Sequence, residues 1–454
     1  MEVLFGLISF HIILIQMLSS VRRSISFQGA SYWRQSARTF YARTDMSGEK
    51  VSDEVKDGSE KEATFKPFEQ SLSGEFRPDY PWKKVKKCAA MLSFSGKNYH
   101  GMQRNQVGEL KTIESELLAA LAKAGTIDPQ WEHAPQKAFF TRASRTDKGV
   151  SAARMVVSLK VLQEEDTVAK VNTHLPPDIR LHHVVRVGKN FNCQQLADAR
   201  TYLYLTPTFA FSPVTDVVTE QWRCGPDTIK NINDVFKHYH GVHYFHNFTS
   251  GKLPLEPSSQ RYIMKFEAGP PFEKNGLEWS VITVKGQSFM IHQIRKMIGL
   301  AVAIARGHTG LQTMEEAWGM NRIDVPRAPG LGLMLDTVHF EKYNKRISRD
   351  GMHGALDWVG QEDAVEKFKE DFIFSDIMDT EAAERSMMGW LGECLPLHTF
   401  VPRHFESEDR EPSVLRNAHL KATKYAKIRQ DKDTHDVPEI EAEATKDIQP
   451  EVEI

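Results

Sequence analysis

Residues 142–161 read RASRTDKGVSAARMVVSLKV, a charged loop that runs straight into an apolar strand. The second part, ARMVVSLKV at 153–161, is rich in β-branched residues and reads as a strand. The first part sets an arginine, an aspartate and a lysine within four residues, ahead of a glycine. In an extended loop, side chains two apart point the same way. Arg145 and Asp147 then share one side, with Thr146 and Lys148 on the other. Gly149 lets the backbone turn into the strand. An arginine beside the aspartate keeps the carboxylate ionised, because opposite charge lowers its pKa. An ionised, desolvated carboxylate is a nucleophile or a base. An Arg–Asp pair that merely braces a turn has the same pattern, so the stretch alone leaves both readings open.

Outward from it, strands and helices alternate. KKVKK at 83–87 leads into CAAMLSFSG, a first strand; the lysines read as a solvated strand end, a nuclear address or an RNA contact. TIESELLAALAKAG at 112–125 predicts an amphipathic helix. Thr112 can cap it, Ile113, Leu117, Leu121 and Ala124 share a face, and Gly125 can end it. DIRLHHVVRV at 178–187 and ARTYLYLTP at 199–207 read as strands. A second stretch repeats the mixture, with a helix over 227–241, strands over 262–269 and 277–286, a long helix over 288–307 and a closing strand over 331–343. The predicted class is α+β, two halves at about 83–210 and 225–345 sharing a central sheet. Residues 346–405 hold helical pieces such as DAVEKFKEDFIF and TEAAERSMMGWLGEC. The polar, acidic stretch 406–454 reads as a disordered tail.

The 454 residues are 41% hydrophobic and 26% charged, which is globular composition. The formal net charge of −2 hides an asymmetry. Pro81–Lys345 carries 34 Lys and Arg against 24 Asp and Glu, a net +10, and the remainder nets −12. A basic body with acidic flanks suits a polyanionic partner, and scatter without a patch fits the same count. Cys88, Cys193, Cys224 and Cys394 form no CxxC pair, so neither a disulfide framework nor a zinc site of usual spacing is expected. Residues 3–19 are almost all apolar, arginines and serines follow, and no acid lies between Glu2 and Asp45. A mitochondrial presequence over 1–45 fits best. A secretory signal or a short anchor competes with it, although Glu2 stands where a signal carries positive charge. A start at Met46 would delete the segment, and 46–82 reads as a disordered linker.

Two further clusters carry charge or metal-binding groups. On the long predicted helix, His292, Arg295, Lys296 and Gly299 fall at spacings of three, four and seven, and Arg306 continues the stripe. Such a stripe faces either a cleft or solvent. His238, His240, His243 and His246 have neither an HExxH pattern nor a nearby carboxylate, so no metal is expected. There is no GxxxxGK[ST] loop and no GxGxxG fingerprint.

Six stretches in order resemble the TruA family of tRNA pseudouridine synthases, most of all its eukaryotic branch. RTDKGVSA resembles the family's catalytic-aspartate motif, YHGMQRN at 99–105 its aromatic-x-G-x-Q segment, and LPPDIRL at 175–181 its LPxDI motif. ADARTYLYL resembles its A-x-x-R-x-Y-x-Y strand, GQSFMIHQIRKMIG its cleft helix and APGLGL its closing strand. The resemblance runs from about Lys86 to Arg346. It implies the pseudouridine synthase fold, with a mostly antiparallel central sheet and a basic cleft. Within that cleft it implies Asp147 as the catalytic carboxylate, Arg145 as the residue that helps flip the target and pairs with Asp147, and Tyr202 as the ring stacked on the flipped base. It further implies substrate contacts from Tyr99, Gln103, Arg104, Lys148, His292, Arg295 and Lys296, and from Leu331 or Leu333, whose register the short APGLGL leaves open. Ser144 stands where the bacterial branch has glycine.

The resemblance implies isomerisation of uridine in tRNA, near the anticodon stem at positions such as 27 and 28, with mRNA and other RNAs left open. It implies no cofactor and no membrane partner, and either a monomer or a homodimer. The implied compartments are the mitochondrion from Met1 and the nucleus from Met46. The rival readings are a tRNA-binding or folding factor without catalysis, and a hydrolytic N-glycosidase, which would release free uracil.

Overall fold

The computed structural model describes residues 84–104, 110–347 and 353–405. The presequence, the linker and the acidic tail read from the sequence lie outside the described residues.

Ten strands form a single sheet: β1 (Lys86–Phe94), β2 (Thr141–Arg142), β3 (Ser151–Val161), β4 (Ile179–Arg186), β5 (Ala199–Pro207), β6 (Gly241–Tyr244), β7 (Gln260–Ala268), β8 (Phe272–Lys274), β9 (Leu277–Gly286) and β10 (Leu333–His339). Their order across the sheet is β4-β1-β3-β10-β5-β9-β7-β6, with β2 on β3 and β8 on β9. Every pairing is antiparallel except that of β3 with β10. Helices flank both faces, as the α+β class requires. The last strand of the fold therefore enters the middle of the sheet, between β3 and β5. Ser151 pairs with Met334, and Ala152 with Leu335. On the other side of β10, Leu335 pairs with Tyr202 and Leu333 with Tyr204. Because β3 and β10 run in parallel, their starting ends lie at one edge of the sheet, and the charged loop before β3 meets the APGLGL stretch before β10. β3 is buried almost throughout, which its near-continuous run of small and β-branched residues anticipates.

The helices are α1 (Ile113–Lys123), α2 (Thr167–Asn172), α3 (Pro226–Lys237), α4 (Gln293–Arg306), α5 (Gln312–Trp318) and α6 (Glu341–Ile347), then α7 (Glu362–Phe368), α8 (Ser375–Glu384) and α9 (Ser386–Gly389). α1 starts on the expected Thr112 cap, in a reciprocal box with Ser115, and ends before Gly125 at φ 70°. α3 packs on β7 and α4. α4 is shorter than the sequence suggests. It begins at Gln293, because His292 adopts φ 63° and breaks the helical path, while Gln293 Oε1 accepts from Met290 N at 2.9 Å. Gly299, read from the sequence as part of a polar stripe, is a contact point instead: a Cβ there would sit 2.3 Å from the Pro326 carbonyl oxygen. The closing strand ends at His339, not Tyr343. The Asp198 carboxylate accepts from Lys342 N at 2.9 Å and turns the chain into α6.

The C-terminal extension is tied to both halves. Arg154 on β3 reaches Asp336 on β10 at 3.4 Å and Glu366 on α7 at 2.7 Å, and Lys369 joins the same carboxylates. The Ser95 hydroxyl donates to Asp376 at 2.7 Å. Further on, Arg322 and Arg403 exchange backbone hydrogen bonds of 2.7 and 3.0 Å.

The seam between β10 and β5 leaves no room before Leu333. Gly332 accepts from Leu205 N at 2.9 Å, and a Cβ on Gly332 would sit 2.2 Å from the Leu205 carbonyl oxygen. Gly332→Ala is expected to lower the unfolding free energy by about 2 kcal/mol, read from urea unfolding midpoints; an unchanged midpoint would contradict this packing.

Candidate active site

A cleft of about 660 Å³ opens at the edge where β3 and β10 begin. Residues 143–147 form one wall and residues 288–295 the other, with Tyr202 and Leu333 between them.

The wall that carries Asp147 is braced from below by the segment after β1. Met102 N donates to the Thr146 carbonyl at 3.2 Å, Gly149 N to the Tyr99 carbonyl at 3.3 Å, and Gly96 N to Ser151 Oγ at 2.9 Å. Two glycines permit this approach. A Cβ on Gly96 would sit 2.5 Å from the Val150 backbone, and one on Gly101 2.7 Å from the Thr146 carbonyl oxygen. Gly149 itself sits at φ 79°, as a turn into the strand requires. Arg142 anchors the start of the loop by a 2.8 Å ion pair with Glu114, a nearly inaccessible carboxylate on α1. The loop backbone is thus fixed while its charged tips are free. Arg145 and Asp147 both line the cleft and Lys148 does not, as the spacing predicts, but Thr146, expected on the side of Lys148, lines it too. The expected Arg145–Asp147 ion pair is not formed: both side chains are exposed and neither has a protein partner. An exposed pair gains at most about 1 kcal/mol, against the entropy of fixing an arginine.

Tyr202 is nearly buried and points into the cleft. Its hydroxyl shares a 3.0 Å hydrogen bond with Ser144 Oγ, and the Phe289 ring meets its edge at 5.4 Å. Ser144 therefore links the Asp147 loop to the tyrosine. Burial raises the Tyr202 pKa, so the phenol keeps its proton. Two residues along β5, Arg200 spends its guanidinium on backbone carbonyls: Ala143 at 2.9 Å, Gln287 at 3.1 Å and Gln194 at 3.2 Å. It clamps both walls to the strand. Arg200 is the arginine of the A-x-x-R-x-Y-x-Y stretch and has no role assigned from the sequence, although the period of two that places Tyr202 places it on the same side.

On the far wall, Arg295 donates from Nε to the Ala328 carbonyl at 2.8 Å and lines the cleft. Burial and the neighbouring Arg327 lower its pKa, while Tyr204 and Asp147 oppose them. His292 also lines the cleft. Of the two leucines left open by the sequence, Leu333 lines it and Leu331 packs against the core.

Besides Lys148, four expected substrate contacts lie outside the cleft. Tyr99 is buried, with its hydroxyl on Asp178 at 2.7 Å, and supports the loop from beneath. Gln103 is exposed outside the cleft. Arg104 is committed to the Glu132 carbonyl at 2.7 Å. Lys296 turns inward to the Asn247 carbonyl at 2.9 Å, because only the first turn of α4 reaches the cleft. Arg306 likewise faces inward, to Ser212 Oγ at 2.6 Å. The histidine cluster is structural: His243 stacks on Trp318 and His240 Nε2 accepts from Phe266 N. Among the described residues no group of three or more His, Cys, Asp or Glu is placed to hold a metal ion.

Burial, helped by Arg322, pushes the Lys296 pKa down to about 7. Between that value and the lysine's ordinary pKa the unfolded chain binds the extra proton, so stability rises with pH through this window. The slope is at most about 1.4 kcal/mol per pH unit. Unfolding free energies of wild type and Lys296→Met at pH 7.5 and 9 should diverge in favour of wild type as pH rises, and parallel behaviour would contradict the burial.

With the geometry in place, the similarities are specific. A family model described as tRNA pseudouridine synthase matches residues 235–341, the segment with the far wall and Leu333. A mouse protein named pseudouridylate synthase 1 homolog is 48% identical over 343 residues, 75% of this chain and 80% of its own length. The human protein of that name is 50% identical over 313 residues, 68% of this chain and 73% of its own. A Yarrowia lipolytica protein named tRNA pseudouridine synthase 1 is 30% identical, over 75% of this chain and 79% of its own length. A stretch covering three quarters of the chain includes residues 142–152 wherever it starts. The chain therefore belongs to the TruA family of tRNA pseudouridine synthases, which are isomerases.

Proposed function

We propose that this cleft converts uridine to pseudouridine in tRNA, with Asp147 as the group that acts on the sugar. The observation that carries the reading is a carboxylate on a rigidly braced loop, open to the cleft and opposed by basic groups. Uridine must lose its C1′–N1 bond, turn, and rejoin through C5, and the only atom lost is the C5 proton. Asp147 either bonds to C1′ or removes the C2′ proton to leave a glycal. The target base must first leave its stack, at a cost of a few kcal/mol. Arg145, exposed at the rim, suits the gap that is left behind. Tyr202 and Phe289 offer apolar and aromatic surface to the extruded base, which contributes about 1–3 kcal/mol per stacked base. A cleft of about 660 Å³ suits one flipped nucleotide. Arg295 and Arg327 supply positive charge for neighbouring phosphates, an interaction that weakens with salt.

Tritium release from tRNA labelled at C5 of uridine tests this, because that hydrogen is lost only when the new bond forms. Wild type is expected to release tritium and Asp147→Ala to release none. Intact tRNA binding without release by either would favour a binding or folding factor.

The finer reading is that target uridines lie near the anticodon stem, such as positions 27 and 28, with mRNA and other RNAs as further substrates. It also holds that translation from Met1 directs the enzyme to mitochondria and from Met46 to the nucleus. It rests on the arginine-rich, acid-poor composition of residues 1–45. A reporter carrying residues 1–45 should enter mitochondria; secretion or membrane retention would contradict it.

A further inference from the structure

His292 is a cleft residue with a constrained backbone and an unemployed side chain. It lies in the left-handed region at φ 63°, ψ −3°, which a residue with a Cβ adopts at a cost. Such strain persists only where the surroundings impose it. They do here: Gln293 holds Met290 N, the His292 carbonyl accepts from Lys296 N at 3.0 Å, and Arg295 is pinned to Ala328 from both its backbone and its side chain. The turn sets the imidazole in the cleft on the wall opposite Asp147.

Nothing in the protein uses that ring. Nδ1 is buried without a hydrogen-bond partner. Nε2 makes no protein hydrogen bond and is not enclosed, so it is the nitrogen open to the cleft. A cationic ring would bury a charged N–H with no acceptor, which is strongly unfavourable. The groups around it act in the same direction: burial first, then Arg327, with Arg295 and Lys296, lower the imidazole pKa, and Asp147 alone opposes them. The ring is neutral near pH 7 and carries one N–H. A buried Nδ1–H without an acceptor is costly, so the tautomer assigned to the ring has a bare Nδ1 and carries its proton on Nε2.

We propose that His292 is a catalytic hydrogen-bond donor, whose Nε2–H stabilises the charge on a carbonyl oxygen of the detached uracil. The inference rests on the isomerisation proposed above. When C1′–N1 breaks, the bonding pair leaves with the base, and the negative charge spreads over N1, O2 and O4. Asp147 meanwhile holds C1′ as an ester or holds the C2′ proton. When C5 bonds to C1′ its electron pair enters the new bond while the C1′–O bond to Asp147 breaks, or C2′ takes its proton back from Asp147. C5 then loses its proton and N1 takes one up, so the carboxylate and the histidine both end as they began. A fixed neutral donor stabilises that charge throughout. A cationic acid would instead hand its proton to the base and favour escape of neutral uracil.

The backbone selects the variants. Glycine and asparagine both tolerate positive φ, so His292→Gly removes the ring and His292→Asn keeps an amide donor on the same turn. Single-turnover tritium release from C5-labelled tRNA, with tRNA affinity in parallel, is measured from pH 6 to 9. His292→Gly should slow release roughly 10²–10³-fold with tRNA affinity unchanged, and His292→Asn should recover at least a tenth of the loss on a logarithmic scale. Release by His292→Gly at the wild-type rate would overturn the proposal. So would a loss confined to affinity, which would mark a phosphate contact. A wild-type rate that rises toward pH 6, with the rise absent in His292→Gly, would also overturn it, by marking a cationic acid. A wild type that releases no tritium would strike the isomerase reading itself.

Discussion

The parallel pairing of β3 with β10 is the contact on which the site depends. An otherwise antiparallel sheet gains one parallel seam where its last strand enters the middle. Parallel neighbours start at the same edge, so the loop before β3 and the loop before β10 are brought side by side. Antiparallel pairing then sets Tyr202 of β5 beside Leu335. Asp147, Leu333 and Tyr202 come from distant parts of the chain and meet because three central strands share this register. A slip of one residue in β10 would turn its side chains to the opposite face and dismantle the cleft.

Rigidity and freedom are divided sharply around Asp147. The backbone of its loop is held by main-chain bonds to the segment after β1, by the Glu114–Arg142 pair and by the Arg200 clamp. The carboxylate itself and Arg145 touch no protein partner. A preorganised backbone carrying unspent side chains suits a site whose contacts are made to substrate. On the wall opposite, burial and then Arg327 lower the pKa of His292, and the guanidinium of Arg295 is tied to the Ala328 carbonyl.

Much of this was legible in the sequence. The alternation of strands and helices gives the α+β class, Thr112 and Gly125 give the ends of α1, and the spacing in RTDKG puts Arg145 and Asp147 on one side. Strand order was not legible, since nothing in the composition of LGLMLDTVH says that it lies between β3 and β5. The stripe from His292 to Arg306 misled because helical spacing assumes a helix from Ser288, whereas the positive φ at His292 starts it at Gln293. Lys296 and Arg306 then turn inward to carbonyl and hydroxyl partners, which periodicity cannot separate from a cleft-facing stripe. Tyr99 and Arg104 fall in the YHGMQRN stretch but lie outside the cleft, where their side chains hold Asp178 and the Glu132 carbonyl. The Ser144–Tyr202 bond joins residues far apart in the chain and has no signal at either position.

The proposed chemistry reduces to one carboxylate that acts on the sugar while the base is kept in the cleft. A synthase returns the base to C1′ through carbon, a glycosidase loses it to water, and a binding factor leaves it in place. The most direct measurement is the nucleoside composition of tRNA, and any free uracil, after incubation with wild type and with Asp147→Asn at equal tRNA occupancy. Pseudouridine from wild type, none from the variant and no free uracil from either is the predicted result. Pseudouridine from Asp147→Asn, or free uracil from wild type, would contradict the account.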